Sequence, residues 1–222
     1  MAVYSEKQAI ADKVKEQLEW DDRVLSVKIF IEVFDGTVKL SGEVPTYASR
    51  LAAEDDAFSI SGVRNVENNL RVKNPQSVII PDDNKIKSFI KNMVRIDPRI
   101  DNETINVNVE GGVVTLNGTV NAHWKKEQTE NYAHRVTGVN NVINNIEVRI
   151  NVELSDQQIK EEIINAVKRN TLMQAEDIRV DVKNGQVILT GFVPSYTAKI
   201  KARQIASYTF GVTNVINHLE LW

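Results

Sequence analysis

Residues 35–44 read Asp35-Gly36-Thr37-Val38-Lys39-Leu40-Ser41-Gly42-Glu43-Val44, and the same grammar returns twice. It reappears as Gly111-Gly112-Val113-Val114-Thr115-Leu116-Asn117-Gly118-Thr119-Val120 and as Asn184-Gly185-Gln186-Val187-Ile188-Leu189-Thr190-Gly191-Phe192-Val193. Each copy opens on a dipeptide suited to a two-residue type I′ turn, whose central residues both need positive φ. Each continues with apolar side chains at every second position, the period of a strand with one buried face. The residues before each turn alternate in the same way: Ile29, Ile31, Val33; Ile105, Val107, Val109; Ile178, Val180, Val182. With residues 35 and 36 in the loop, Val33 faces Val38, Ile31 faces Leu40 and Ile29 faces Gly42. The other copies give Val109/Val114, Val107/Leu116 and Val182/Val187, Val180/Leu189. Turn chemistry and hydrophobic pattern select one register independently.

Working outward, Gly42, Gly118 and Gly191 lie 76 and then 73 residues apart, and everything inside the unit aligns without gaps. A third glycine followed by valine closes each copy: Gly62-Val63, Gly138-Val139, Gly211-Val212. Before the hairpin runs a helical stripe at i, i+4, i+8: Ile10, Val14, Leu18; Ile86, Ile90, Val94; Ile159, Ile163, Val167. Ser5 with Gln8 and Ser155 with Gln158 have capping-box spacing, and Pro81-Asp82-Asp83 supplies the second copy's start signal. A second helix is expected over 46–61, 122–137 and 195–210, stopping at the third glycine as a left-handed C′ cap with the next valine tucked back. A last strand follows at 65–72, 141–150 and 214–222. The fold class is α+β: three tandem αββαβ modules, each a three-stranded mixed sheet with two helices on one face. Strands one and two are antiparallel, and two and three are parallel through a right-handed crossover. The modules span 1–73, 80–150 and 153–222. Between the first two, Val78-Ile79-Ile80 is an apolar linker segment expected to dock on a neighbour. Ile150, Val152 and Leu154 carry the alternation of the second copy towards the third.

Hydrophobic content of 42% with 26% charged residues is globular, and no apolar run approaches the roughly 18 residues of a membrane span. The absence of cysteine excludes disulfides and thiolate chemistry without fixing a compartment. The N-terminus, Met-Ala-Val-Tyr-Ser-Glu-Lys, has no basic or apolar export region, so the sequence as it stands reads as cytoplasmic, and as periplasmic if a signal peptide preceded it. Lys+Arg of 27 against Asp+Glu of 30 disfavours a nucleic-acid partner. A KH-type GxxG loop is absent, as are stacking aromatics in the strands of copies two and three.

The recurring core, Val-x-Leu-x-Gly-x-Val followed after a helix by Gly-Val-x-x-Val-x-Asn-x-Leu, resembles the BON domain family over nearly the whole chain. It stands here at 38–44 and 62–70, at 114–120 and 138–146, and at 187–193 and 211–219. The resemblance implies a bacterial, stress-related binding module with affinity for phospholipid surfaces or other proteins, and no catalytic residue or cofactor. Its structural glycines are Gly36, Gly42, Gly62, Gly112, Gly118, Gly138, Gly185, Gly191 and Gly211.

The chemistry-bearing residues support the same conclusion. His123, His134 and His218 have no metal-ligand spacing. Asp21-Asp22 and Asp55-Asp56 do not recur between copies and are expected as solvated charges. No P-loop, GxGxxG or GxSxG is present. Contact residues must therefore come from where the copies differ. On the second helices, Trp124 with Lys125 and Lys126, and Tyr196 with Lys199, Lys201 and Arg203, combine aromatic and basic groups suited to a headgroup interface. On the uncovered sheet face, copy two is polar (Asn106, Asn108, Glu110, Thr115, Asn117), whereas copy one alternates Lys28 and Glu32 with Phe30 and Phe34. That mixed face suits a protein partner or another copy of the chain. The two readings are association with phospholipid or envelope surfaces through several weak modules, and a protein-interaction scaffold.

Overall fold

The computed structural model describes residues 2–24, 28–100, 105–150, 154–170 and 177–221, with side chains from residue 7 onward in the first helix. Helices α1 (Ala2–Trp20) and α2 (Tyr47–Ser59) and strands β1 (Ile29–Phe34), β2 (Thr37–Val44) and β3 (Asn65–Val72) make the first repeat. The second comprises α3 (Asp83–Ile96), β4 (Ile105–Glu110), β5 (Val113–Val120), α4 (His123–His134) and β6 (Asn141–Val148). The third comprises α5 (Asp156–Lys168), β7 (Ile178–Lys183), β8 (Gln186–Val193), α6 (Tyr196–Tyr208) and β9 (Asn214–Leu221). Each sheet has three strands in sequence order. The architecture is α+β in three repeated αββαβ modules.

By backbone contacts the chain gathers into two units. One is Met1–Ile90 with Val109–Val114 and Ala133–Val142, the other Lys91–Asn108 with Thr115–Tyr132 and Ile143–Trp222. In the first unit, β1 and β2 are antiparallel with Ile29↔Gly42, Ile31↔Leu40 and Val33↔Val38, the register the turn demands. β2 and β3 are parallel. The helical stripe Ile10, Val14, Leu18 closes over Val38, Leu40, Val44 and Leu70 together with Ala52, Ala53 and Ala57 of α2. The alanines let α2 approach the sheet closely. In the second unit, β7/β8 pair Val180↔Leu189 and Val182↔Val187, and β8/β9 are parallel. Ile159, Ile163 and Val167 pack there on Val187, Leu189 and Leu219 with Ala198, Ala202 and Ala206. Each of these sheets thus carries both helices of its repeat on one face and leaves the other uncovered.

The turns need their glycines for different reasons. Asp35 and Gly36 sit at φ 48 and 71, Asn184 and Gly185 at 52 and 73, the I′ geometry. Gly191, mid-strand at φ +113, lies so near the entry to β7 that a Cβ would come within 1.9 Å of the Asp177 carbonyl oxygen. Any side chain there would push the first strand off the second.

Three local expectations are corrected. The second helices end before the third glycine: Ile60 and Thr209 are already extended where α2 and α6 stop. Val63, Val139 and Val212 then donate to the carbonyls of Ile60, Val136 and Thr209 at 3.1, 3.2 and 3.3 Å. Gly62, Gly138 and Gly211 are therefore the third residues of β-turns, where positive φ is again required, rather than C′ caps. The valines are buried as expected. Ser5 is not a cap, because α1 begins at Ala2; the residues upstream are helical and already supply that turn's backbone partners. The Ser155–Gln158 capping box is formed in full, and Asp82 caps α3 by accepting from the Lys85 N–H at 2.9 Å. Finally, Ile79 is 94% exposed and docks on nothing, while Ile80 lies beside Gly138. The expected continuation through Val152 falls outside the described residues.

Candidate functional site

On the uncovered sheet face of the first repeat, Phe30 and Phe34 are 64% and 74% exposed. The alternation forces this: Ile29, Ile31 and Val33 take the core side, so the even positions point outward. Beside Phe30 lies a groove of about 500 Å³ walled by Val44, Pro45 and Pro75, with Lys28, Glu43 and Lys73 at its rim. Lys73 and Glu43 pair across it at 2.8 Å. Phe34 lies apart from the groove, its ring under the Lys7 ammonium at 4.4 Å from the centroid.

The aromatic and basic residues of the second helices divide into two groups. Trp124 stacks on Tyr208 with centroids 5.7 Å apart and rings 8° from parallel, and the Arg99 guanidinium lies 5.4 Å from the Trp124 centroid. Arg203 donates to Glu127 Oε1 at 2.9 Å, and the Ser207 hydroxyl to Glu127 Oε2 at 2.6 Å. His123 Nε2 lies 3.5 Å from the same carboxylate. Burial pushes the Glu127 carboxyl upward, but hydrogen bonds from His123 and Ser207 and the Arg203 charge outweigh it and hold it at about 2. Trp124 and Arg203 thus join the second repeat to the third. Lys125, Lys126, Tyr196, Lys199 and Lys201 are half-buried along the same helices, and burial pushes the Lys199 pKa down.

Within the first unit, Tyr47 at the start of α2 meets the His134 ring at the end of α4, centroids 4.9 Å apart. Tyr47 and His123 occupy the same repeat position, as do His134 and Ser207. One helix face therefore makes the contact from first repeat to second and from second to third. Periodicity within a single helix could not reveal this, because the residues doing it are chemically different in each copy.

Asp56 departs from the expected solvated charge. It is 5% exposed, its Oδ1 accepts from the Gln17 amide at 3.2 Å, and Oδ2 is buried with no hydrogen-bond partner. Burial raises its pKa to about 6, with the Asp21 charge adding to the effect. Asp21, held by the Arg23 guanidinium at 2.8 Å, is instead lowered to about 2. The two carboxyls share one arginine because α1's end and α2 converge there.

A second acid pair escaped the sequence reading. Asp83 accepts from the N–H groups of Gly111 and Gly112 at 2.7 and 3.0 Å, and Asp156 from those of Asn184 and Gly185, each at 2.9 Å. Each carboxylate ties a hairpin turn to the first turn of the first helix, and the first repeat carries Lys7 in that slot. The signal was available as an acid recurring at one register in two copies of three.

Among the described residues no group of three His, Cys, Asp or Glu side chains is placed to hold a metal ion, and no helix is long and apolar enough to cross a membrane. The chain is 28% identical over 149 residues, 66% of its length and 74% of the relative's, to osmotically-inducible protein Y of Escherichia coli strain K12. Two solved structures of CdsD, a structural protein of the type III secretion system of Chlamydia trachomatis, align over 95% of this chain and 91% and 96% of theirs. They do so at 15% identity, with TM-scores of 0.27 and 0.26. The family description of the BON domain matches residues 6–74, 82–150 and 155–221, the same three stretches that fold as αββαβ. With the repeat, the topology and the family description in agreement over most of its length, the chain belongs to the BON domain family.

Proposed function

We propose that this chain is a non-catalytic, stress-related binding protein of the BON type that engages a protein partner through the open sheet face of its first repeat. The observation that carries the reading is Phe30, 64% exposed beside an apolar groove on a sheet face with no helix over it. An exposed phenyl ring next to proline-walled space is the composition of a recognition anchor. The similarity to an osmotically inducible protein supports the link to stress. The test is a pull-down from osmotically stressed cells with wild type and Phe30→Asp, the fold of both checked by circular dichroism. Loss of the main partner from the variant is expected; retention of every partner refutes the reading.

Association with a phospholipid surface or envelope component is the second reading. It is supported by the aromatic and basic composition of α4 and α6, where Lys125, Lys126, Tyr196, Lys199 and Lys201 lie half-buried. Linked weak sites would act together through avidity. Sedimentation with phosphatidylglycerol vesicles at low and high salt tests it, and no co-pelleting in either condition rejects it.

A further inference from the structure

The three hairpin turns share one backbone frame. Asp35 and Gly36, Gly111 and Gly112, and Asn184 and Gly185 all hold φ between 48° and 76°. The carbonyl of each second turn residue accepts from the backbone N–H of Arg64, Asn140 or Thr213, at 2.7, 2.8 and 2.9 Å. In copies two and three the two turn N–H groups grip one carboxylate, an oxygen each: Asp83 accepts at 2.7 and 3.0 Å, and Asp156 at 2.9 Å from both. Copy one has Lys7 at that position. Among the described residues the N–H groups of Asp35 and Gly36 have no acceptor. The surrounding charge is reversed as well. Arg64 fills the slot of Asn140 and Thr213, whose side chains donate to the carbonyls of Gly111 and Asn184 at 3.1 and 3.3 Å. The Arg64 stem instead runs beside Gly36, 3.2 Å from where a Cβ would stand, and its guanidinium has no ion-pair partner among the described residues. Lys7 likewise has no carboxylate partner there and holds its ammonium 4.4 Å from the Phe34 centroid. Two cations against the single carboxylate of Asp35 leave this turn net positive.

We propose that the Asp35–Gly36 turn is a docking site for an acidic side chain of a protein partner, whose carboxylate takes the place that Asp83 and Asp156 fill in the other two repeats. This rests on reading the open sheet face of the first repeat, to which Phe34 belongs, as the contact surface, and it names the partner's chemistry. The occupant follows from the repeat itself. The same pair of N–H groups, at the same backbone angles, holds a carboxylate with both oxygens wherever the chain supplies one. Such charge-assisted bonds are among the stronger polar contacts a surface can make. Where the chain supplies no acid it supplies cations, and Lys7 and Arg64 complement an incoming negative charge as Asp83 and Asp156 could not. Phe34, exposed beside the Lys7 ammonium, offers apolar surface to the partner residue next to the acid. Core packing requires neither cation: the buried stripe of α1 is Ile10, Val14 and Leu18, and Val63, not Arg64, enters the core.

Amide chemical shifts of the full chain, titrated at constant ionic strength with a blocked peptide of four glutamates, test the proposal. The Asp35 and Gly36 amides should shift saturably. Those of Gly111, Gly112, Asn184 and Gly185 should not, because their carboxylates are already in place. A four-glutamine peptide should leave all six unmoved. Lys7→Ala and Arg64→Ala should each raise the half-saturating concentration roughly fivefold. Lys7→Asp should abolish the response while the rest of the spectrum stays native, since it gives copy one the internal cap of the other two. Absence of a saturable shift at Asp35 and Gly36 up to about 100 mM peptide, far weaker than the about −4 kcal/mol of a millimolar site, overturns the proposal. So does a Lys7→Asp variant that still responds, or a response to inorganic phosphate with none to the glutamate peptide. A change at the two amides on Glu6→Gln without peptide also overturns it, because the chain's own acid would then be the occupant. In pull-downs, a partner lost with Phe30→Asp but kept with Lys7→Asp removes the docking site while the reading of the face stands. A partner lost with Lys7→Asp but kept with Phe30→Asp supports the site and removes Phe30 as the anchor.

Discussion

Asp56→Asn should stabilise the first repeat at neutral pH and lose that advantage as the pH falls. The buried carboxyl has its pKa raised from 3.8 to about 6, so the folded state disfavours its ionised form relative to the unfolded chain. A carboxyl raised on folding favours the fold most below its unfolded pKa, and that benefit is lost as pH rises through the folded value. Integrating the linkage between pH 4.5 and 7.5 gives a loss of about 2 kcal/mol in the wild type that the asparagine variant does not suffer. The asparagine can keep Oδ1 accepting from Gln17 and turn its amide towards the Asp21 carboxylate. Asp21 is lowered to about 2, so its own contribution is present above its unfolded pKa and is lost only as the pH falls from about 4 towards 2, beneath this window. Histidines and other shared groups cancel when the variant is compared with wild type at the same pH. Native-state hydrogen exchange of α1 and α2 peptides reports the local opening free energy, and the variant should exchange roughly thirtyfold more slowly at pH 7.5 relative to its standing at pH 4.5. An exchange ratio unchanged across the window, or faster exchange in the variant at pH 7.5, would refute the argument.

Asp156→Ala removes two charge-assisted hydrogen bonds from the Asn184–Gly185 turn and should cost about 1–2 kcal/mol, since the freed N–H groups can recover water; hydrogen exchange in the β7–β8 hairpin measures it. Glu127→Gln should loosen the contact between α4 and α6, seen as faster exchange at the end of α6. In the wild type the same contact should persist down to about pH 4 and fail only as the pH approaches 2, because a lowered carboxyl supports the fold above its unfolded pKa.

Much of the fold was legible because its determinants are local and repeated. Asn184-Gly185 fixes a turn, the turn fixes Val180 opposite Leu189, and the stripe Ile159, Ile163, Val167 fixes the helix face that covers them. The sequence is ambiguous where a local signal has two possible geometries. Gly62, Gly138 and Gly211 need positive φ in either a C′ cap or a β-turn, and only the carbonyl that Val63 meets distinguishes them. Phe30 was legible as outward-facing by strict alternation, whereas the groove beside it depends on Pro45 and Pro75 from separate segments.

The sequence by itself determined three αββαβ units, their register and the side of each strand that enters the core, because backbone propensity and hydrophobic period act over a few residues. Tertiary structure alone decided the state of the charges and aromatics. It buried Asp56 at the meeting of two helices, bound Asp83 and Asp156 to turns nearly thirty residues away, and engaged Trp124 and Arg203 between repeats. The environment of a polar group is set by what folds against it, and those neighbours come from distant parts of the chain.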